Sequence, residues 1–128
     1  MPAFRTRPLI LVADDEAVIA DTLTAILNLS GFEAKAVYSG EEAVKVAEEL
    51  RPDVLLTDVV MGGITGIEAA VRISEFLSSC KVLLFSGQAR TADLLGIERT
   101  KGHLFSILEK PVAPGVLIRH LKGLVAAA

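Results

Sequence analysis

The chain has 128 residues, 52% hydrophobic and 23% charged, with a formal net charge of −3. That length and apolar content suit one folded domain and exclude a disordered chain. A single cysteine and two histidines far apart exclude a disulfide framework and a zinc site, and the acidic balance argues against a basic face for nucleic acid or anionic membrane.

Taken in chain order, Arg5 and Arg7 read as a solvated tail. The apolar run Leu9 to Ala13 is too short for a secretion signal and stops at Asp14-Asp15-Glu16, so it reads as a strand. No run reaches the length of a transmembrane helix, so no membrane insertion and a cytoplasmic setting are expected. Glu16 to Leu29 places Ile19, Leu23, Ile26 and Leu27 on one helical face, with Gly31 as the C-terminal cap. Glu33 to Tyr38 reads as a weaker strand. Ser39-Gly40-Glu41-Glu42 opens a second helix with acids in its first turn, Ala43, Val46, Ala47 and Leu50 form its stripe, and Pro52 stops it.

Val54 to Thr57 is a third strand, and a helix follows over about Thr65 to Ser78. Val82 to Phe85 is a fourth strand. Residues 88–102 carry Leu94, Leu95 and Ile97 but also Gly96, which reads as a short or irregular fourth helix. Leu104 to Leu108 is a fifth strand, and Pro114 to Val125 a fifth helix with Val116 or Leu117, His120, Leu121 and Leu124 at helical spacing. Strands that are continuously apolar suit a sheet covered on both faces. The alternation predicts an α/β fold with a doubly wound, five-stranded parallel sheet and helices on both faces. One domain over 1–128, with a core at about 8–125 and no output domain, is expected.

The strands stop at chemically distinctive residues. The first ends at Asp14-Asp15-Glu16, the third at Asp58, the fourth at Ser86-Gly87 and the fifth at Glu109-Lys110-Pro111. In a parallel sheet these ends share one edge, where open α/β folds bind ligands. Clustered carboxylates repel one another, and a hard divalent cation such as magnesium relieves that repulsion. A carboxylate can attack a phosphoryl group as a nucleophile, and the transferring oxygens can then be met by a cation, an ammonium and a hydroxyl. Taken alone, Asp15 could instead be a helix cap, Asp58 and Ser86 turn residues and Lys110 a surface cation.

These pieces in this order resemble the receiver domain of two-component response regulators, from about Pro8 to Val125. The resemblance rests on Leu11-Val12-Ala13-Asp14-Asp15-Glu16, Asp58, Met61, Gly66, Ser86-Gly87 and Lys110-Pro111. It implies the flavodoxin-like strand order 2-1-3-4-5 that the family shares. It implies Asp58 as phosphoacceptor, forming an aspartyl phosphate. Mg2+ (or Mn2+) would be held by Asp14, Asp15, Asp58 and the backbone carbonyl of Val60, with Asp14 acting mainly through water. Lys110 would contact the phosphate, Ser86, Phe105 and Ile107 would make up the switch, and Pro111 would follow a cis bond. The implied partners are a sensor histidine kinase or a histidine phosphotransfer protein upstream and a protein target downstream. No direct nucleic-acid contact is implied, and the resemblance leaves room for a homodimer. No enzyme beyond self-phosphoryl transfer and slow autodephosphorylation is expected.

The chain departs from the family pattern at Gly62-Gly63, where proline commonly follows the methionine, which implies a looser loop. Ile107 stands where the switch aromatic usually sits, with Phe105 two residues earlier on the same strand face. Val60 offers no polar group to orient water, which implies a longer-lived phosphoryl state. Two other readings stand beside the first: a receiver-like interaction or dimerisation module that is never phosphorylated, and an aspartate-nucleophile phosphohydrolase. The second is disfavoured because Glu16, not aspartate, lies two residues past Asp14.

Overall fold

A computed structural model describes residues 6–87 and 105–126. The expected fourth helix and His103 lie outside the described residues, so the helices are numbered here without it. The order is β1 (Leu9–Ala13), α1 (Ala17–Asn28), β2 (Glu33–Val37), α2 (Gly40–Leu50), β3 (Val54–Asp58), α3 (Gly66–Phe76), β4 (Lys81–Ser86), β5 (Ser106–Glu109) and α4 (Pro114–Ala126). The five strands form one parallel sheet in the order β2-β1-β3-β4-β5. This is the flavodoxin-like α/β arrangement anticipated above. No helix among the described residues is long and apolar enough to cross a membrane.

Alternation along the strands splits the core into two layers. Leu11, Leu55, Val82 and Leu84 face one side, where Ala43 and Ala47 of α2 and Ala70 and Ile73 of α3 cover them. Ile10, Val12, Leu56, Leu83 and Phe85 face the other, against Leu27 of α1 and Leu117 and Leu121 of α4. Leu117, not Val116, is therefore the inward residue of the last helix; Val116 is exposed and His120 half-buried. In the edge strand β2, Val37 is buried and Tyr38, just past the strand, is exposed.

Local chemistry sets the helix starts. Ser39 caps α2 by accepting from the Glu42 N–H at 3.0 Å, and the Glu42 carboxylate accepts from the Tyr38 N–H at 2.7 Å. Thr65 caps α3 by accepting from the Glu68 N–H at 3.0 Å. The N-cap of α1 is Glu16, not Asp15, and no side-chain hydrogen bond caps it. Arg7 is exposed, as a solvated residue would be, but it is anchored: its Nη1 donates to the carbonyls of Asn28 (3.2 Å) and Phe32 (3.3 Å), tying the entry of β1 to the end of α1, while Arg5 lies outside the described residues.

The edge opposite the strand C-termini is tied at Asp53. Its N–H donates to the Leu9 carbonyl (2.9 Å), its Oδ2 accepts from the Leu9 N–H (2.8 Å), and its carbonyl accepts from the Lys81 N–H (3.0 Å). One residue thereby joins the starts of β1, β3 and β4.

Candidate functional site

The parallel sheet delivers the ends of β1, β3, β4 and β5 to one edge, and the acidic residues meet there. One carboxylate oxygen from each of Asp14, Asp15 and Asp58 lies within 4.8 Å of the other two. Asp14 is 2% exposed, Asp58 half-buried and Asp15 exposed. Asp14 spends Oδ1 on the Glu16 N–H at 2.9 Å, which turns the chain from β1 into α1. Its Oδ2 lies 3.8 Å from the Lys110 ammonium, which lies 3.5 Å from Asp58 Oδ1. That same Asp58 oxygen accepts from the Val59 N–H at 3.0 Å. Asp15 reaches across to the loop after β3, where its Oδ2 accepts from the Gly62 N–H at 3.2 Å.

One cation against three carboxylates leaves the cluster negative. Burial raises the Asp58 pKa above the ordinary aspartate value; Lys110 opposes the rise and Asp14 adds to it. A half-buried carboxyl of this kind gains from any further positive charge brought beside it. The three donors are all carboxylate oxygens, hard and mutually close, which fits magnesium or manganese better than a soft metal.

Gly66 fixes how closely α3 approaches the site. A Cβ there would fall 2.0 Å from the Asp58 carbonyl oxygen and 2.8 Å from Thr57 Oγ1. Its N–H donates to the Val59 carbonyl at 2.8 Å, closing the loop that starts at Asp58. Within that loop the Val60 side chain is 53% exposed.

Ser86 ends β4 at 2% exposure, and its carbonyl accepts from the Lys110 N–H at 2.9 Å. Alternation puts Ser86 on the same sheet face as Leu84, which is in register with Ile107. Phe105 is 8% exposed, and it packs with Ile107 in the core layer containing Leu84. The Lys110–Pro111 peptide bond is cis. The structure thus gathers Asp14, Asp15, Asp58 and Lys110 into one cluster and leaves Phe105 and Ile107 in the apolar layer beneath Ser86. Two neighbours of the site carry no motif in the sequence. The Phe85 ring centroid lies 5.2 Å from the Lys110 ammonium, and Glu41 accepts from the Ile64 N–H.

A family model described as the response regulator receiver domain matches residues 10–122. The chain therefore belongs to the response regulator receiver domain family. It is 31% identical over 117 residues to the DNA-binding response regulator MtrA of Mycolicibacterium paratuberculosis, covering 91% of this chain and 50% of that protein. The receiver thus spans about half the length of the curated relatives it matches. It is also similar to the solved signal receiver domain of a modulated diguanylate cyclase from Desulfovibrio desulfuricans, with a TM-score of 0.81 and 28% identity, covering 94% of this chain and 95% of that one. A response regulator receiver domain protein from Methanospirillum hungatei shares the fold at a TM-score of 0.86 and 21% identity, again over 94% and 95% of the two chains. The acidic cluster with its lysine is thus the acidic pocket of a receiver domain.

Proposed function

We propose that this receiver accepts a phosphoryl group on Asp58 from a phosphohistidine of a sensor histidine kinase or a histidine phosphotransfer protein. The observation that carries the reading is the placement of Asp58 Oδ1 3.5 Å from the Lys110 ammonium, inside a cluster of three carboxylates. An Asp58 oxygen forms the new P–O bond as the P–N bond to the donor imidazole breaks, and the imidazole leaves with that electron pair. Lys110 pairs with a phosphoryl oxygen and offsets the charge that Asp58 gains. Asp15, Asp58 and the Val60 carbonyl, with Asp14 through water, would hold Mg2+ or Mn2+. The bound cation supplies positive charge to the transferring oxygens and relieves repulsion among the carboxylates.

The aspartyl phosphate adds about −1.5 to −2 charges at the sheet edge. Ser86 then turns its hydroxyl toward a phosphoryl oxygen, and the face around β5 and α4 shifts its populations toward the form that a protein target binds. Phe105 and Ile107, packed together beneath Ser86, are the side chains that carry the shift. No reaction on an outside substrate is part of this reading, and the net charge of −3 speaks for a protein target over nucleic acid.

Intact-mass measurement with a small phosphodonor, with and without Mg2+, tests the assignment. The wild type gains one phosphoryl increment only with Mg2+, and Asp58→Asn gains none. A wild type that stays unmodified points instead to a constitutive interaction module. Multiple turnover of phosphate esters would point to a phosphohydrolase.

A further inference from the structure

The Gly62-Gly63 pair leaves the loop after Asp58 without the restraint that a proline ring supplies, and a glycine pair carries the largest backbone freedom. The loop is nevertheless bonded from two sides. On one, the Gly62 N–H meets Asp15 Oδ2 at 3.2 Å. On the other, the Ile64 N–H meets Glu41 Oε2 at 3.2 Å, from the first turn of α2. The fit around Glu41 is close. A Cβ on Gly63 would fall 2.5 and 2.8 Å from the two Glu41 carboxylate oxygens, and Gly63 has φ +82°, a conformation that L side chains rarely adopt. A Cβ on Gly40 would fall 2.5 Å from Ile64 Cγ1 and 3.0 Å from the Ile64 carbonyl oxygen. Gly40-Glu41 and Gly63-Ile64 therefore interlock, and each glycine admits the other pair's neighbour.

We infer that Glu41 is a positioning residue for the phosphoacceptor loop, its carboxylate holding the Ile64 N–H so that the segment carrying Val60 and Gly62 stays beside Asp15 and Asp58. The inference rests on the phosphoacceptor reading above and adds to it a residue outside the acidic cluster. Glu41 lies in the first turn of a helix, where the dipole favours its charge and helps to keep it in place. A loop released from Glu41 divides its time among more conformers, and apparent cation affinity falls in proportion to the competent fraction. An exposed, charge-assisted hydrogen bond of this kind is worth about a fivefold change in that fraction.

The test uses the full chain as wild type, Glu41→Ala and Glu41→Gln. Mg2+ binding is followed by calorimetry, backbone amide exchange of residues 62–64 without metal, and phosphorylation rate at saturating Mg2+. Glu41→Ala weakens Mg2+ binding about fivefold and speeds exchange of the Ile64 amide by a similar factor, while the saturated rate stays within about twofold. Glu41→Gln, whose amide oxygen still accepts, keeps both the affinity and the slow exchange. Wild-type affinity and exchange in Glu41→Ala overturn the inference, and so does a Glu41→Gln variant impaired as far as Glu41→Ala, since charge alone would then be acting. A wild type that binds no Mg2+ overturns the phosphoacceptor reading instead. The Ile64 amide then decides the tether by itself, and unchanged exchange in Glu41→Ala refutes it.

Discussion

Lys110 reaches Asp58 across an intervening strand: its ammonium lies 3.5 Å from Asp58 Oδ1, although β4 separates β3 from β5. The ammonium lies 5.2 Å from the ring centroid of Phe85, the β4 residue in register with Asp58. Two carboxylates and a ring face thus locate one cation. A cation–π contact of this kind contributes about 0.5–1 kcal/mol where the cation is partly exposed. Lys110→Met is expected to slow phosphorylation of Asp58 roughly 100-fold, in the range found when one donor to a developing negative charge is removed. Phe85→Leu keeps an apolar side chain but removes the ring, and is expected to slow it by less than about fivefold. Time courses of intact mass at fixed phosphodonor distinguish the two.

Asp58 costs the folded chain stability at neutral pH. Burial raises its pKa above 3.8, Lys110 opposes the rise and Asp14 adds to it. The folded state therefore binds this proton more tightly than the unfolded state. The stability that this brings is complete below the unfolded pKa and is lost as pH rises through the folded value. Asp58→Asn removes the loss. In chelator-treated buffer the variant is expected to melt a few degrees above the wild type at pH 7, with the gap closing toward pH 4. Thermal melts followed by circular dichroism measure both; a variant that melts lower at pH 7 contradicts the sign.

Much of this arrangement is legible in the chain. Parallel strands put all their C-terminal ends on one edge, so reading where each apolar run stops is enough to bring Asp14, Asp15, Asp58 and Lys110 together. The helix starts are equally local, because Ser39 and Glu42 or Thr65 and Glu68 lie within one turn. What the chain hides is long-range and made by backbone groups. Arg7 looks like a free cation because its acceptors are the carbonyls of Asn28 and Phe32, which any residue type would present. Asp15 is placed in the acidic cluster by its position after β1, but nothing in the chain shows that its carboxylate also accepts from the Gly62 N–H. The Gly62-Gly63 pair reads as slack for the same reason, since the restraint comes from Glu41 in a different helix.

Gly66 is a strict requirement of packing. Alanine there would set a Cβ 2.0 Å from the Asp58 carbonyl oxygen, a backbone atom that cannot swing away. Overpacking of cores typically costs 1–3 kcal/mol, and Gly66→Ala is expected at or above the top of that range, about 3 kcal/mol. Urea denaturation reads the loss as a lower midpoint. A midpoint within error of the wild type would mean that α3 moves away freely.

Cys80 is expected to be inert in the folded protein. It is 6% exposed, and burial pushes its thiol pKa up to about 12. Alkylation proceeds through the thiolate, so iodoacetamide at pH 8 should label the native chain roughly 1,000-fold more slowly than the chain in denaturant. Mass spectrometry over time follows both reactions. Rapid native labelling would place the thiol at the surface.

Asp53 gives the two ends of the sheet different mechanical characters. At its end, two backbone bonds and one to the Asp53 carboxylate lace neighbouring strands together, at the edge opposite the acidic cluster. At the far end backbone bonds such as Lys110 N–H to the Ser86 carbonyl are joined by the ionised groups of Asp14, Asp58 and Lys110, whose attraction varies with what they hold. A change of charge at the acidic rim therefore acts directly on the contacts of that rim, while the bonds that Asp53 makes at the other involve none of those groups.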